Sequence, residues 1–199
     1  MSSKDFVSFI LNPFEDLTTR NQLIIGIVGF ILLCVLSYFF HFINDGIISL
    51  HFREKQAFWT YLVNGLINTG SLTILMFCYG KFNYSKTRFL DVLITVLIAQ
   101  CVLVLMGLLL LNPYLMRVME DLQVQIESGN INKLKLSPLS LGIITLAGIF
   151  SIFAIYYFFH LLVKGMKIAI NSNKLYHTIA IVLLTLILNS VLSAFKPYF

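Results

Sequence analysis

Residues 90–111 read LDVLITVLIAQCVLVLMGLLLL. Past Asp91 the stretch holds no charged side chain, and Gln100 is its one amide. About 20 apolar residues in α-helix cross the ~30 Å hydrocarbon core of a bilayer. A soluble helix of this length would carry charges along one face. In lipid the backbone must satisfy its own hydrogen bonds, and a helix does so within one segment. The stretch therefore reads as a membrane span.

Four more runs of this kind cover 23–43, 57–79, 139–163 and 176–195, and none carries Asp, Glu, Lys or Arg. The composition agrees: 58% of the 199 residues are apolar and 12% charged, with a mean hydropathy of +0.88. A soluble domain carries roughly 25% charged residues. These values exclude a disordered chain, a fibrous repeat and an ordinary cytosolic enzyme. The expected fold is all-α: a polytopic membrane protein, a bundle of five transmembrane helices with short amphipathic surface helices. Residues 1–21 form a cytoplasmic amphipathic lead and 22–199 the transmembrane domain. The second run is the least regular, with Asn64, Asn68, Thr69, Gly70 and Ser71 near its middle.

The net charge of +5 comes from Lys and Arg that sit beside the apolar runs. This placement suits a membrane surface, and no nucleic-acid partner is expected. Cys34, Cys78 and Cys101 lie inside the runs, an odd count that argues against a disulfide framework. The first run is expected to be a retained helix: Asp5, Glu15 and Asp16 interrupt what precedes it, and no small-residue cleavage site follows it.

Orientation follows the cations. Eight lie on one side, Lys4, Arg20, Lys81, Lys86, Arg88, Lys164, Lys167 and Lys174. Six lie on the other, where Glu120, Asp121 and Glu127 offset those of the third connection. The richer side is expected to be cytoplasmic, with the N-terminus inside and the C-terminus outside. Tyr38, Phe39, Phe40, Phe42, Phe58, Trp59 and Tyr61 would then gather at the outer interface.

Two amphipathic segments flank the spans. Phe6, Phe9, Ile10 and Phe14 recur at near-helical spacing, and Asn12-Pro13-Phe14-Glu15 reads as a capping box with Pro at the first helical position. This segment lies on the inner leaflet or packs as a lid under the bundle. Asn112-Pro113 starts the second segment, Leu115, Met119, Leu122 and Ile126 form its stripe, and Gly129 stops it. Arg117 can reach Glu120 and Asp121 one turn on. Ser137-Pro138 caps the fourth span.

No catalytic, cofactor-binding or metal-ligating set emerges from the motifs. His41, Asn44 and Asp45 fall at i, i+3 and i+4, one face at the end of the first span. They read chiefly as a polar helix end, and alternatively as a proton relay or half a metal site. No His-Glu-x-x-His or Gly-x-Ser-x-Gly motif accompanies them. Asn64 and Asn68, one turn apart, and Gln100 are neutral polar groups within the membrane. They read as glue between the second and third spans, or as the lining of a solute path. Gly65, Thr69 and Thr73 recur at fourth positions as a small packing face, and Asn189 and Ser190 read as packing too. No carboxylate sits mid-membrane, which weakens a coupled pump.

Three segments carry a family resemblance: Phe9-Ile10-Leu11-Asn12-Pro13-Phe14-Glu15-Asp16-Leu17 before the first span, Gly80-Lys81-Phe82 with Thr87-Arg88-Phe89 before the third, and Leu161 to Lys167 with Asn173-Lys174 before the last. Together with five spans, this layout resembles the Yip1 family, especially its short bacterial members. The Asp-Leu-Tyr-Gly-Pro motif and long cytosolic arm of eukaryotic members are absent. The resemblance implies a non-enzymatic scaffold or accessory subunit of a bacterial cytoplasmic membrane, whose partners are membrane lipids and another membrane protein or a second copy of itself. A small permease or channel with a polar path near Asn64, Asn68 and Gln100 is the alternative.

Overall fold

The computed structural model describes residues 12–52, 54–109, 112–127 and 137–195. A single helical turn, α1 (Pro13–Asp16), leads into α2 (Thr19–Phe40). A two-stranded hairpin follows, β1 (Phe42–Asn44) and β2 (Leu50–Phe52). Then come α3 (Phe58–Asn83), α4 (Phe89–Leu109), α5 (Pro113–Glu127), α6 (Pro138–Ala169) and α7 (Leu175–Ala194). The helices α2, α3, α4, α6 and α7 are each long and apolar enough to cross a membrane. The chain is a multi-pass, all-α membrane protein, as its apolar runs require.

Helix α4, the stretch quoted first, is the central one. Two thirds of its apolar window (67%) is buried in the protein, against 11% for α6. It packs between α2 and α6, and its all-round apolar sequence suits that position. Gly26 of α2 lets α4 come close: a Cβ there would lie 2.6 Å from Leu97 Cβ. Small residues allow such backbone approach where lipid supplies no hydrophobic drive between helices.

Helix ends follow local chemistry. Thr18 Oγ1 accepts from Asn21 N, and Ser137 Oγ from Ser140 N, capping α2 and α6 as side-chain acceptors do. Helix α6 runs six residues past the expected end at Val163, to Ala169. Its 32 residues span about 48 Å at 1.5 Å per residue, more than the hydrocarbon core. Lys164 and Lys167 therefore ride on a continuation of the span. Helix α3 likewise runs on from Tyr79 to Asn83. Thr87 Oγ1 reaches both the Gly80 carbonyl of α3 and the Ala169 carbonyl of α6, joining their ends.

The structure departs from the sequence reading in two places and adds to it in a third. First, the opening span ends at Phe40, not Ile43, because His41 takes a left-handed conformation (φ 54°) and its N–H bonds Ser37 O. His41, Asn44 and Asp45 therefore share no helical face; Asn44 closes β1 and Asp45 begins the turn. Second, the first connection, to which the sequence reading assigned no structure, forms a hairpin, with Phe42 opposite Phe52, Ile43 opposite His51 and Asn44 opposite Leu50. Third, Asn12-Pro13-Phe14-Glu15 makes no side-chain cap, although Pro13 does open the turn. Gln22 of α2 holds this turn instead, its Nε2 donating toward the carbonyls of Pro13, Phe14 and Leu17. Phe14 packs on the core, so this part of the lead sits under the bundle. Phe6, Phe9 and Ile10 lie outside the described residues.

The α5 segment begins as its sequence demands. Asn112 Oδ1 accepts from Tyr114 N and Leu115 N. Leu115 and Val118 are buried, and Tyr114 Oη bonds Ser140 Oγ of α6. The helix therefore docks on the bundle by one face. Gly129, Lys133 and Lys135, and the side chains of Glu120, Asp121 and Ile126, lie outside the described residues, and so does Lys196.

Candidate functional site: a hairpin seated among polar side chains

The turn 45–49 between β1 and β2 enters the bundle instead of resting on it. Phe42, Ile43, Asp45 and Ile47 are at most 2% exposed, and Ile47 belongs to the main apolar core. Non-helical backbone at membrane depth is tolerated only where protein surrounds it, because each unpaired group in lipid costs several kcal/mol. Residues 42–47 are buried and meet that condition, while Ile48 and Ser49 are half-buried.

Side chains of two spans supply the missing hydrogen bonds. Asn68 Nδ2 of α3 donates to the Asn44 carbonyl. Asn68 lies ten residues beyond Phe58, about 15 Å along the helix, which is half the thickness of the hydrocarbon core. From α7, Asn189 Oδ1 accepts from Ile48 N at 3.0 Å and from Ser49 Oγ at 3.2 Å. Ser193 Oγ lies 3.5 Å from Ser49 Oγ. The Asn44 side-chain amide lies against the carbonyls of Gly46 (2.6 Å) and Ser49 (2.8 Å), two acceptors that its nitrogen satisfies when the amide is turned to face them. Position 46 has room for glycine alone, since a Cβ would fall 2.5 Å from Asn189 Oδ1 and 2.7 Å from Ser193 Oγ.

Asp45 has a histidine partner, but it is His51 of β2 and not His41. Its Oδ1 lies 2.6 Å from His51 Nδ1. The carboxylate side chain is 3% exposed and the imidazole 51%, so the pair spans from the buried turn to the surface of the protein. Among the described residues no three His, Cys, Asp or Glu side chains converge as a metal site would require.

Beneath β1 lies a pocket of about 10 Å³, bounded by Cys34 and Ser37 of α2, Ile43, Asn64 and Thr69 of α3, and Gln100 of α4. That volume matches one water molecule. Thr69 Oγ1 donates to Gln100 Oε1 at 2.7 Å, a direct α3–α4 bond within the bundle. Among the described residues neither amide atom of Asn64 has a hydrogen-bond partner, nor does Asn68 Oδ1.

The three polar residues singled out in the sequence thus come together, but with different employment. Gln100 joins helices, Asn68 holds the hairpin, and Asn64 faces the pocket. Sequence reading missed the seat on α7: Asn189 reads there as packing, whereas it receives the turn. Asn44-Asp45-Gly46, flanked by Phe42-Ile43 and Ile47-Ile48, is the signal that reveals the hairpin. At the opposite end Tyr79 Oη meets Nδ1 of the buried His177 at 2.6 Å, so α3 and α7 are tied twice, once directly and once through the hairpin. Compared with known protein families, with characterised proteins and with solved structures, the chain matches none.

Proposed function

We propose that the chain is a Yip1-like, non-enzymatic scaffold or accessory subunit of a bacterial cytoplasmic membrane, with its N-terminus inside and its C-terminus outside. The supporting observation is how its intramembrane polar groups are used. Asn68, Asn189, Thr69 and Gln100 bond to the hairpin or to each other, and the space left among them is about one water wide. Such groups fix one arrangement of helices and leave the outer faces of α6 and α7 for lipid or a membrane partner. Gentle extraction and native gel electrophoresis should find the chain in a complex larger than its 22.7 kDa, with itself or with another membrane protein. A monomer that turns over a substrate would sink this reading.

A second reading keeps the same residues as a gated path for a small neutral solute. Its observation is the amide of Asn64, without a partner among the described residues, below a hairpin whose turn is bonded by side chains of α3 and α7. Proteoliposomes would then pass urea-sized solutes, and Asn64→Ala with Asn68→Ala would change the flux. Liposomes no leakier than empty ones remove this reading.

A further inference from the structure

The end of the bundle opposite the hairpin carries a cleft of about 490 Å³ that none of the functions above uses. Its walls come from α1, the start of α2, the α3–α4 turn, the first turns of α4 and the α6–α7 turn. We propose that this cleft binds the phosphate group of an anionic phospholipid.

Charge is the first support. Lys86 and Arg88 line the cleft, and Asp91 is the only acid that does. Among the described residues none of the three makes an ion pair; the one pair found is Asp45–His51. A guanidinium and an ammonium without carboxylate partners are the groups that take phosphate oxygens, the first in two parallel bonds and the second as a point charge. Arg88 directly precedes α4, whose first N–H groups lack intrahelical acceptors and add a partial positive charge.

Height and shape are the second support. The cleft lies where α2 begins, α3 ends, α4 begins and α6 ends, at and just beyond the ends of the apolar spans. A phosphodiester of the bilayer sits at this level. The volume falls in the range of small-molecule sites, roughly 300–1,000 Å³, and holds a phosphoglycerol headgroup. Ile168 forms part of the lining and is 48% exposed, an apolar flank beside the polar wall. A lipid presents the same sequence of phosphate and apolar chain. Tyr84, Thr19 and Asn171 add hydroxyl and amide groups for the glycerol.

The test is native mass spectrometry of the full chain from detergent, titrated with phosphatidylglycerol, phosphatidylcholine and inorganic phosphate. Phosphatidylglycerol should bind more tightly than phosphatidylcholine. Replacing both cations (Lys86→Gln with Arg88→Gln) should weaken it roughly 30-fold, taking a basic group near the membrane surface at its usual worth. Lys55→Gln, on the hairpin side, should leave binding at the wild-type value. Asp91→Asn removes the opposing carboxylate and should tighten binding; this variant carries the test even where the double replacement does not fold. Equal affinity for the two lipids, an unaltered double variant or an Asp91→Asn variant with no gain would each overturn the proposal. Inorganic phosphate that displaces phosphatidylglycerol at equal concentration would assign the cleft to a soluble phosphate instead of a lipid.

Discussion

Replacing Asn189 by alanine isolates the seat of the hairpin. The change removes the acceptor of Ile48 N–H and the partner of Ser49 Oγ, while Asn68 still holds the Asn44 carbonyl. Ile48 is half-buried and packs against the core, so its N–H gains little from solvent. Leaving a buried donor unsatisfied costs about 1–3 kcal/mol. Polar contacts between spans measured by double-mutant cycles average about 0.6 kcal/mol with a maximum near 1.7, which places the expected value in the lower half of that range. At 1.4 kcal/mol per factor of ten, opening of the turn becomes roughly 5- to 30-fold more frequent. Amide hydrogen exchange in detergent reads that opening directly at Ile48 and its neighbours. The α4 amides around Val96 to Leu103 should exchange as in the wild type, because the perturbation is confined to the hairpin. Asn64→Leu gives the opposite sign: Asn64 has no described partner, and an apolar side chain of similar size removes its desolvation cost. Exchange at Ile48 within twofold of the wild type in Asn189→Ala, or an Asn64→Leu protein that melts well below the wild type, would refute the account of the seat.

Three further outcomes are expected. Gly46→Ala drives a methyl against Asn189 and Ser193 and should lower stability by about 1–3 kcal/mol, whereas Gly70→Ala, with open space around the added carbon, should hold or raise it by up to about 1 kcal/mol; thermal melts of the two variants separate these effects. Gln22→Leu removes the donor to the carbonyls of Pro13, Phe14 and Leu17 and should speed limited trypsin cleavage after Arg20 several-fold, read by gel. In a background lacking the native cysteines, Ser85→Cys and Lys55→Cys should label from opposite sides of the membrane with an impermeant maleimide; labelling of both from one side would overturn the topology.

Five spans were legible because lipid imposes a simple rule on sequence: apolar runs of the right length, with charges only at their ends. Caps at Asn112 and Ser137 were legible for a related reason, since both side chains act on N–H groups two or three residues away. The hairpin was hidden by its own composition. Phe42 and Ile43 extend the apolar run without a break, so nothing in hydropathy marks the departure of the helix at His41. The fates of Asn64 and Asn68 could not be told apart by spacing either. They lie one turn apart on α3, and what separates them is the position of the Asn44 carbonyl, which depends on how the hairpin is tilted. Asp45 illustrates the same limit: a histidine four residues away in sequence was the nearer candidate, and the antiparallel register brought His51 instead.

The seating of the turn also has a consequence for biosynthesis. Ser49 and Asn189 are 140 residues apart. At the usual pace of about 5–20 residues per second, the ribosome needs roughly 7–28 s to supply the second after the first. Until α7 enters the bilayer, Ile48 and Ser49 have no acceptor on it, and the turn must wait at the aqueous boundary, where water serves its backbone. Docking of the first connection is thus a late event that waits on the last helix. A nascent chain stalled before α7 would expose Gly46 to Ser49 to proteases on the hairpin side of the membrane that the finished protein resists.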